Sequence, residues 1–123
     1  MIVLGHPKIP SPTLRHITDA SQIARVAAKD IVWFDFDLDL LRFCHENDVR
    51  CAVRIADEKE AVYANALGAV FLLCGLKLAA RIQKIADHYL FDAKVIVPID
   101  ERIVDEAIEA GVDGVLLTNY GRV

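Results

Sequence analysis

No Cys-x-x-Cys pair, no Gly-x-Gly-x-x-Gly run and no Walker loop occurs in the 123 residues, so a zinc ribbon and nucleotide binding through those devices are not indicated. The three cysteines, Cys44, Cys51 and Cys74, are odd in number and widely spaced, which argues against a disulfide framework and for a reduced, cytoplasmic setting. Basic residues are outnumbered, 14 Lys and Arg against 18 Asp and Glu, and the net charge of -4 supplies no field for nucleic acid or an anionic membrane. The longest apolar run, residues 69–76, is too short to span a bilayer, and the N-terminal residues lack a basic segment followed by an apolar one, so neither secretion nor insertion is expected. Proline is scarce outside one place: three of the four fall within residues 7–12, which must therefore be extended or turned.

What remains is an apolar chain of single-domain size, 54% hydrophobic, with short β-branched runs alternating with longer segments of helical period. The strands are predicted at residues 2–4, 31–36, 49–55, 69–74, 94–99 and 113–118, and the helices at 19–29, 40–47, 57–67, 77–91 and 101–110. Capping reasons accompany them: the helix at 57–67 opens with acidic residues, Asp100 precedes the one at 101–110, and Gly68 and Gly111 stand where these two helices should end in a left-handed turn. In the helix at 77–91, Leu78, Ile82, Ile85 and Tyr89 recur on one stripe. A shift of 43 residues lays Asp57-Glu58-Lys59 on Asp100-Glu101-Arg102 and Gly68 on Gly111, a faint repeat of one βα unit.

The pattern predicts one α/β domain over residues 1–123, three-layered, with a mostly parallel sheet of five or six strands. Two architectures satisfy it, an open flavodoxin-like sheet, which is favoured, and a partial TIM-barrel-like sheet whose concave face would need a partner. The apolar content, concentrated between residues 61 and 78, predicts a homo-oligomer.

Ligands of parallel α/β sheets bind at the carboxyl ends of the strands. There the sequence offers Phe34-Asp35-Phe36-Asp37-Leu38-Asp39, three alternating carboxylates whose mutual repulsion a cation or Arg54 would offset. Asp35 and Asp37 are thus candidate catalytic residues and candidate Mg2+ ligands; in the competing reading Asp39 caps the helix that starts at Leu40, Asp37 occupies the turn and only Asp35 points into a cleft. This segment, with Val115-Leu116-Leu117-Thr118-Asn119, resembles the first two motifs of haloacid-dehalogenase-like phosphatases. That resemblance implies Asp35 as nucleophile, Asp37 as general acid and base and Thr118 as a phosphate contact. It departs from the family at Leu38 and Asp39, where Gly and Thr are usual, and neither the family's Lys nor its final acidic motif occurs before Val123. Residues 109–119 also resemble the closing βα unit of phosphate-binding (β/α)8 barrels, glycerophosphodiester phosphodiesterase-like or aldolase-like, which implies Thr118, Asn119 and Gly121 as phosphate contacts.

Arg54 and Asp100 complete the ligand-binding candidates, with a phosphorylated small molecule as the ligand class. The sequence leaves open whether the protein is an enzyme. It favours a small-ligand-binding or self-associating domain, beside a phosphorylated-metabolite enzyme or binder and a degenerate phosphatase-like Mg2+ binder.

Overall fold

A computed structural model describes residues 1–121. Seven strands form one sheet: β1 (Ile2–Leu4), β2 (Leu14–His16), β3 (Ile31–Asp35), β4 (Cys51–Arg54), β5 (Phe71–Leu73), β6 (Lys94–Ile99) and β7 (Gly114–Leu117). Four α-helices intervene, α1 (Leu38–Glu46), α2 (Glu58–Ala66), α3 (Leu76–Tyr89) and α4 (Val104–Ala110), with 3-10 helices at Ala20–Arg25 and Glu101–Ile103. The strand order is β1-β7-β6-β5-β4-β3-β2, and every neighbouring pair is parallel.

That order decides between the two architectures. From β2 to β7 each strand lies beside its predecessor in sequence, with no reversal in the middle of the sheet, and β1 returns to the far edge beside β7. An open doubly wound sheet reverses direction and so covers both faces with helices. Here one buried cluster, with Val32, Phe34, Val53, Leu72, Val95, Val97 and Val115, contains the inward residues of all four helices. The other consists of Leu4, Leu14, Ile31, Ala52, Phe71, Leu73, Ile96 and Leu116, all from strands. The favoured flavodoxin-like, three-layer expectation is therefore corrected: the helices lie on one face, and the sheet curls into a partial barrel whose other face fills itself. Leu4 of one edge strand and Leu14 of the other share that inner cluster.

The strand count is corrected too, from five or six to seven. The missed strand is β2, three residues of which only Leu14 is buried, so it offers no apolar run to detect. The segment predicted as a helix at 19–29 forms only a 3-10 helix, opened by Asp19 and ended where Val26 turns extended.

Helix starts and stops follow the chemistry of their ends. Asp37 accepts from the Leu40 amide at 3.1 Å and Asp57 from the Glu60 amide at 2.8 Å, each satisfying an otherwise orphaned helical donor. Gly68 and Gly111 take φ of +82° and +72°, the left-handed turn that a Cβ disfavours. The buried side of α3 is Ala79, Ile82, Gln83 and Ala86, one position round from the expected stripe, and Tyr89 is exposed. Small alanines let the helix lie close on the sheet. Gln83 is tolerated there because its Oε1 accepts the Asp113 amide at 2.9 Å and its Nε2 donates to Asp87 at 2.9 Å. Asp113 in turn accepts the Val95 amide, which fixes the entrance to β6.

Candidate functional site at the carboxyl-end mouth

Side chains two apart on a strand share a face. Leu14, Ile31 and Ala52 point into the barrel, so His16, Trp33, Asp35 and Arg54 follow them on the same face at the carboxyl ends of β2, β3 and β4. The register places His16 beside Trp33 and Asp35 beside Arg54. The His16 ring lies 4.2 Å from the Trp33 ring, and the Arg54 guanidinium stands 5.7 Å from the centroid of the same indole, within cation–π range. Arg54 Nε reaches Asp35 Oδ1 at 2.6 Å, with the two side chains 58% and 62% exposed. Such an open ion pair contributes about 0–1 kcal/mol, so an incoming anion can compete with Asp35 for the guanidinium.

The next strand end adds a second source of positive potential. Leu73 of β5 pairs with Arg54, and two residues later Gly75 opens α3. The helices α1 and α2 and both 3-10 helices begin with an aspartate that accepts a backbone amide. In contrast, α3 begins with no side-chain acceptor and no acidic residue in its first turn, where Lys77 sits instead. Gly75 is exposed, and a Cβ built on it would meet nothing within 4 Å. Free helical amides and the positive end of the macrodipole favour an anion at that point.

The ends of β6 and β7 form a separate polar group. Asn119 Oδ1 accepts the Glu101 amide at 3.1 Å, and the Tyr120 hydroxyl donates to Glu101 at 2.6 Å. The His6 and Tyr120 rings meet edge to face at 5.1 Å, joining the β1 end to the β7 end. Asp100 accepts the Arg102 amide at 2.9 Å and pairs with its guanidinium at 3.0 Å. Thr118 is exposed, with its amide donating to Ile99, and Gly121 has φ of +65°.

Of the residues nominated from sequence, Asp35 and Arg54 are thus brought into contact. Asp37, not the expected Asp39, caps α1, because the helix starts at Leu38 and leaves Asp39 inside its first turn; Asp100 caps the 3-10 helix before α4, and Asn119 bridges to Glu101. Asp35 and Asp37 take different partners, and among the described residues no group of three or more His, Cys, Asp or Glu side chains is placed to hold a metal ion. Trp33 and His16 were not singled out as site residues. The available signal was the spacing of two that links Trp33 to Asp35 and Leu14 to His16, and it was hidden where β2 itself went undetected. The Trp33 Nε1 hydrogen is buried without an acceptor, a cost of about 1–3 kcal/mol that marks this ring as imperfectly accommodated.

Arg102 lowers the Asp100 pKa below its ordinary 3.8, chiefly by the side-chain hydrogen bond. A carboxyl depressed in the folded state contributes stability that is complete above its unfolded value and is lost as pH falls through the folded one. Acidification below 3.8 is therefore expected to lower the melting temperature in part through Asp100. In Asp100→Asn this acid-dependent fall should be shallower; superimposable melting-temperature profiles of variant and wild type would show that the pair contributes nothing.

No family model matches the chain, and no curated protein matches it significantly by sequence. In structure it is similar to thiamine phosphate pyrophosphorylase from Pyrococcus furiosus, with a TM-score of 0.56 and 14% identity over 85% of this chain and 70% of that one. At that identity the likeness establishes a shared fold, a curled parallel sheet of the barrel type, and leaves the function to be read from the site.

Proposed function

We propose that the protein binds a small phosphorylated molecule at the carboxyl-end mouth of its partial barrel. The observation that carries the reading is the position of Arg54. It is exposed at the mouth, laid over Trp33, held only by an open ion pair with Asp35, and adjacent in register to the strand that feeds the uncapped start of α3. Guanidinium and helical amides together suit a phosphate, whose oxygens accept several charge-assisted hydrogen bonds. The Trp33 and His16 rings offer a flat surface for the less polar remainder of the ligand. The structural neighbour's name records a phosphorylated compound, which accords with this reading.

Trp33 is the single tryptophan of the chain, so the site carries its own fluorescent reporter. Titration with glycerol 3-phosphate is expected to change its emission saturably, with inorganic phosphate weaker and glycerol without effect. Arg54→Ala should weaken binding about 10- to 100-fold, the loss of a charged hydrogen bond of about 1.5–3 kcal/mol. Asp35→Asn should tighten it, because the competing carboxylate is gone. Equal affinity in Arg54→Ala and wild type, or an equal response to glycerol, would remove the basis of the proposal.

A further inference from the structure

The outer surfaces of α3 and α4 carry charges that the fold itself does not use. Spacings of four, three and four put Lys77, Arg81, Lys84 and His88 on one stripe of α3, opposite the buried Ala79, Ile82, Gln83 and Ala86. All four basic residues are exposed. On α4, Ala107 is the buried residue, and Asp105, Glu106 and Glu109 are exposed around it. The two helices are neighbours in the outer layer, so a basic stripe lies next to an acidic one. Arg81 is engaged by Glu58 of α2 at 2.9 Å. Among the described residues, Lys77, Lys84, His88, Asp105, Glu106 and Glu109 make no ion pair.

Neither stripe suits its own helix. Like charges three and four residues apart repel along α3, and Lys77 stands in the first turn, at the positive end of the helix dipole. On α4, Glu109 stands in the last turn with no basic residue there, so the negative end of that helix carries a negative side chain. Apolar side chains beside the stripes lie in water: Tyr89 and Leu90 at the end of α3 are 69% and 84% exposed, and Ile108 of α4 is 58% exposed. Leu90 also takes φ of +54°, a left-handed turn that suits glycine better than leucine. The apolar stretch between residues 61 and 78, in contrast, goes largely to the protein's own core, with Phe71, Leu72 and Leu73 all buried.

We infer that this surface docks a second copy of the chain, with α3 of each protomer lying antiparallel over α4 of the other. A basic stripe beside an acidic one becomes its own complement after a half-turn about an axis perpendicular to both helices. In such an isologous contact every pairing occurs twice. Lys77 at the start of α3 then meets the partner's Glu109 at the end of α4, and Lys84 and His88 lie toward the partner's Asp105. Each charge that opposes its own helix dipole is thereby offset by one of opposite sign. A partner of one sign would satisfy only one of the two helices and be repelled by the other, which is why the occupant is a second copy. The net charge of -4 on each chain works against association, so the local pairing must supply the attraction. The contact lies on the outer helix layer and does not depend on a ligand at the mouth.

Sedimentation equilibrium of the 123-residue chain across the micromolar range is expected to show the mass rising from 13.7 kDa toward twice that value. Added salt should lower it again, because exposed charges are screened. Lys84→Glu with His88→Glu, and separately Asp105→Lys with Glu109→Lys, should each weaken self-association about 10-fold or more, since like charges then face one another. An equimolar mixture of the two double variants should restore the wild-type affinity, because in the mixed dimer both α3–α4 contacts are again opposite in sign. Misfolded variants could not rescue one another in this way. The inference is overturned by a mass that stays at 13.7 kDa at every concentration, by a dimer that neither double variant weakens, or by a mixture that associates no better than either variant alone.

Discussion

Gly114→Ala is expected to destabilise the protein by about 2–3 kcal/mol, the cost of forcing an added methyl into a filled interior. Gly114 begins β7 between β1 and β6, opposite Ile2 on one side and Ile96 on the other. A Cβ there would lie 2.6 Å from the Ile2 carbonyl oxygen and 2.7 Å from both Ile2 Cβ and Ile96 Cδ1. The Ile96 methyl can rotate aside; the carbonyl is backbone and can retreat only if β1 moves as a whole. Since β1 is an edge strand held through β7, that movement loosens the end of the sheet. Denaturant unfolding measures the loss directly, and Ile96→Val should restore only a fraction of it. An unchanged midpoint in Gly114→Ala would mean that β1 does not pack against β7 as described. For a domain whose whole stability is typically about 5–15 kcal/mol, the expected change is large.

The second large effect tests the curl of the sheet. Leu4 and Leu14 are 1% and 4% exposed and sit on opposite edge strands, β1 and β2, with no ladder between them. Leu4→Ala and Leu14→Ala should each cost about 2–5 kcal/mol, the range for a buried leucine that leaves a cavity. Their joint effect is the diagnostic quantity. Side chains lining one shared cavity couple by about 0.5–3 kcal/mol, whereas distant ones add. Because both residues belong to the inner cluster, the double variant is expected to deviate from the sum of the singles. Strict additivity in equilibrium unfolding would place the two edges apart and open the barrel.

The aspartates show how one residue type divides between roles that sequence could not separate. Asp19, Asp37, Asp57 and Asp100 each accept a backbone amide at a helix start. Asp35, in the same alternating run as Asp37, instead faces the mouth and meets Arg54. The difference is where β3 ends: Asp35 is its last residue, still bound by the alternation of the strand, while Asp37 has already turned extended to cap α1. One residue in the position of the strand end thus separates a site carboxylate from a structural one.

From the sequence alone came the parallel α/β class, the placement of most strands and helices, the acidic helix starts at Asp57 and Asp100 and the glycine stops, because each of these rests on interactions within a few residues. The curl of the sheet did not. Both faces of the central strands are apolar, the outer against helices and the inner against other strands, so no alternation along β4 or β5 distinguishes a layer of helices from a barrel interior. Only the non-local order of the strands decides it. The same holds for β2, whose three residues carry one buried side chain and gain their identity from pairing with β3. It holds also for the mouth, where His16, Trp33 and Arg54 come from three strands and meet because register, not spacing along the chain, sets them side by side.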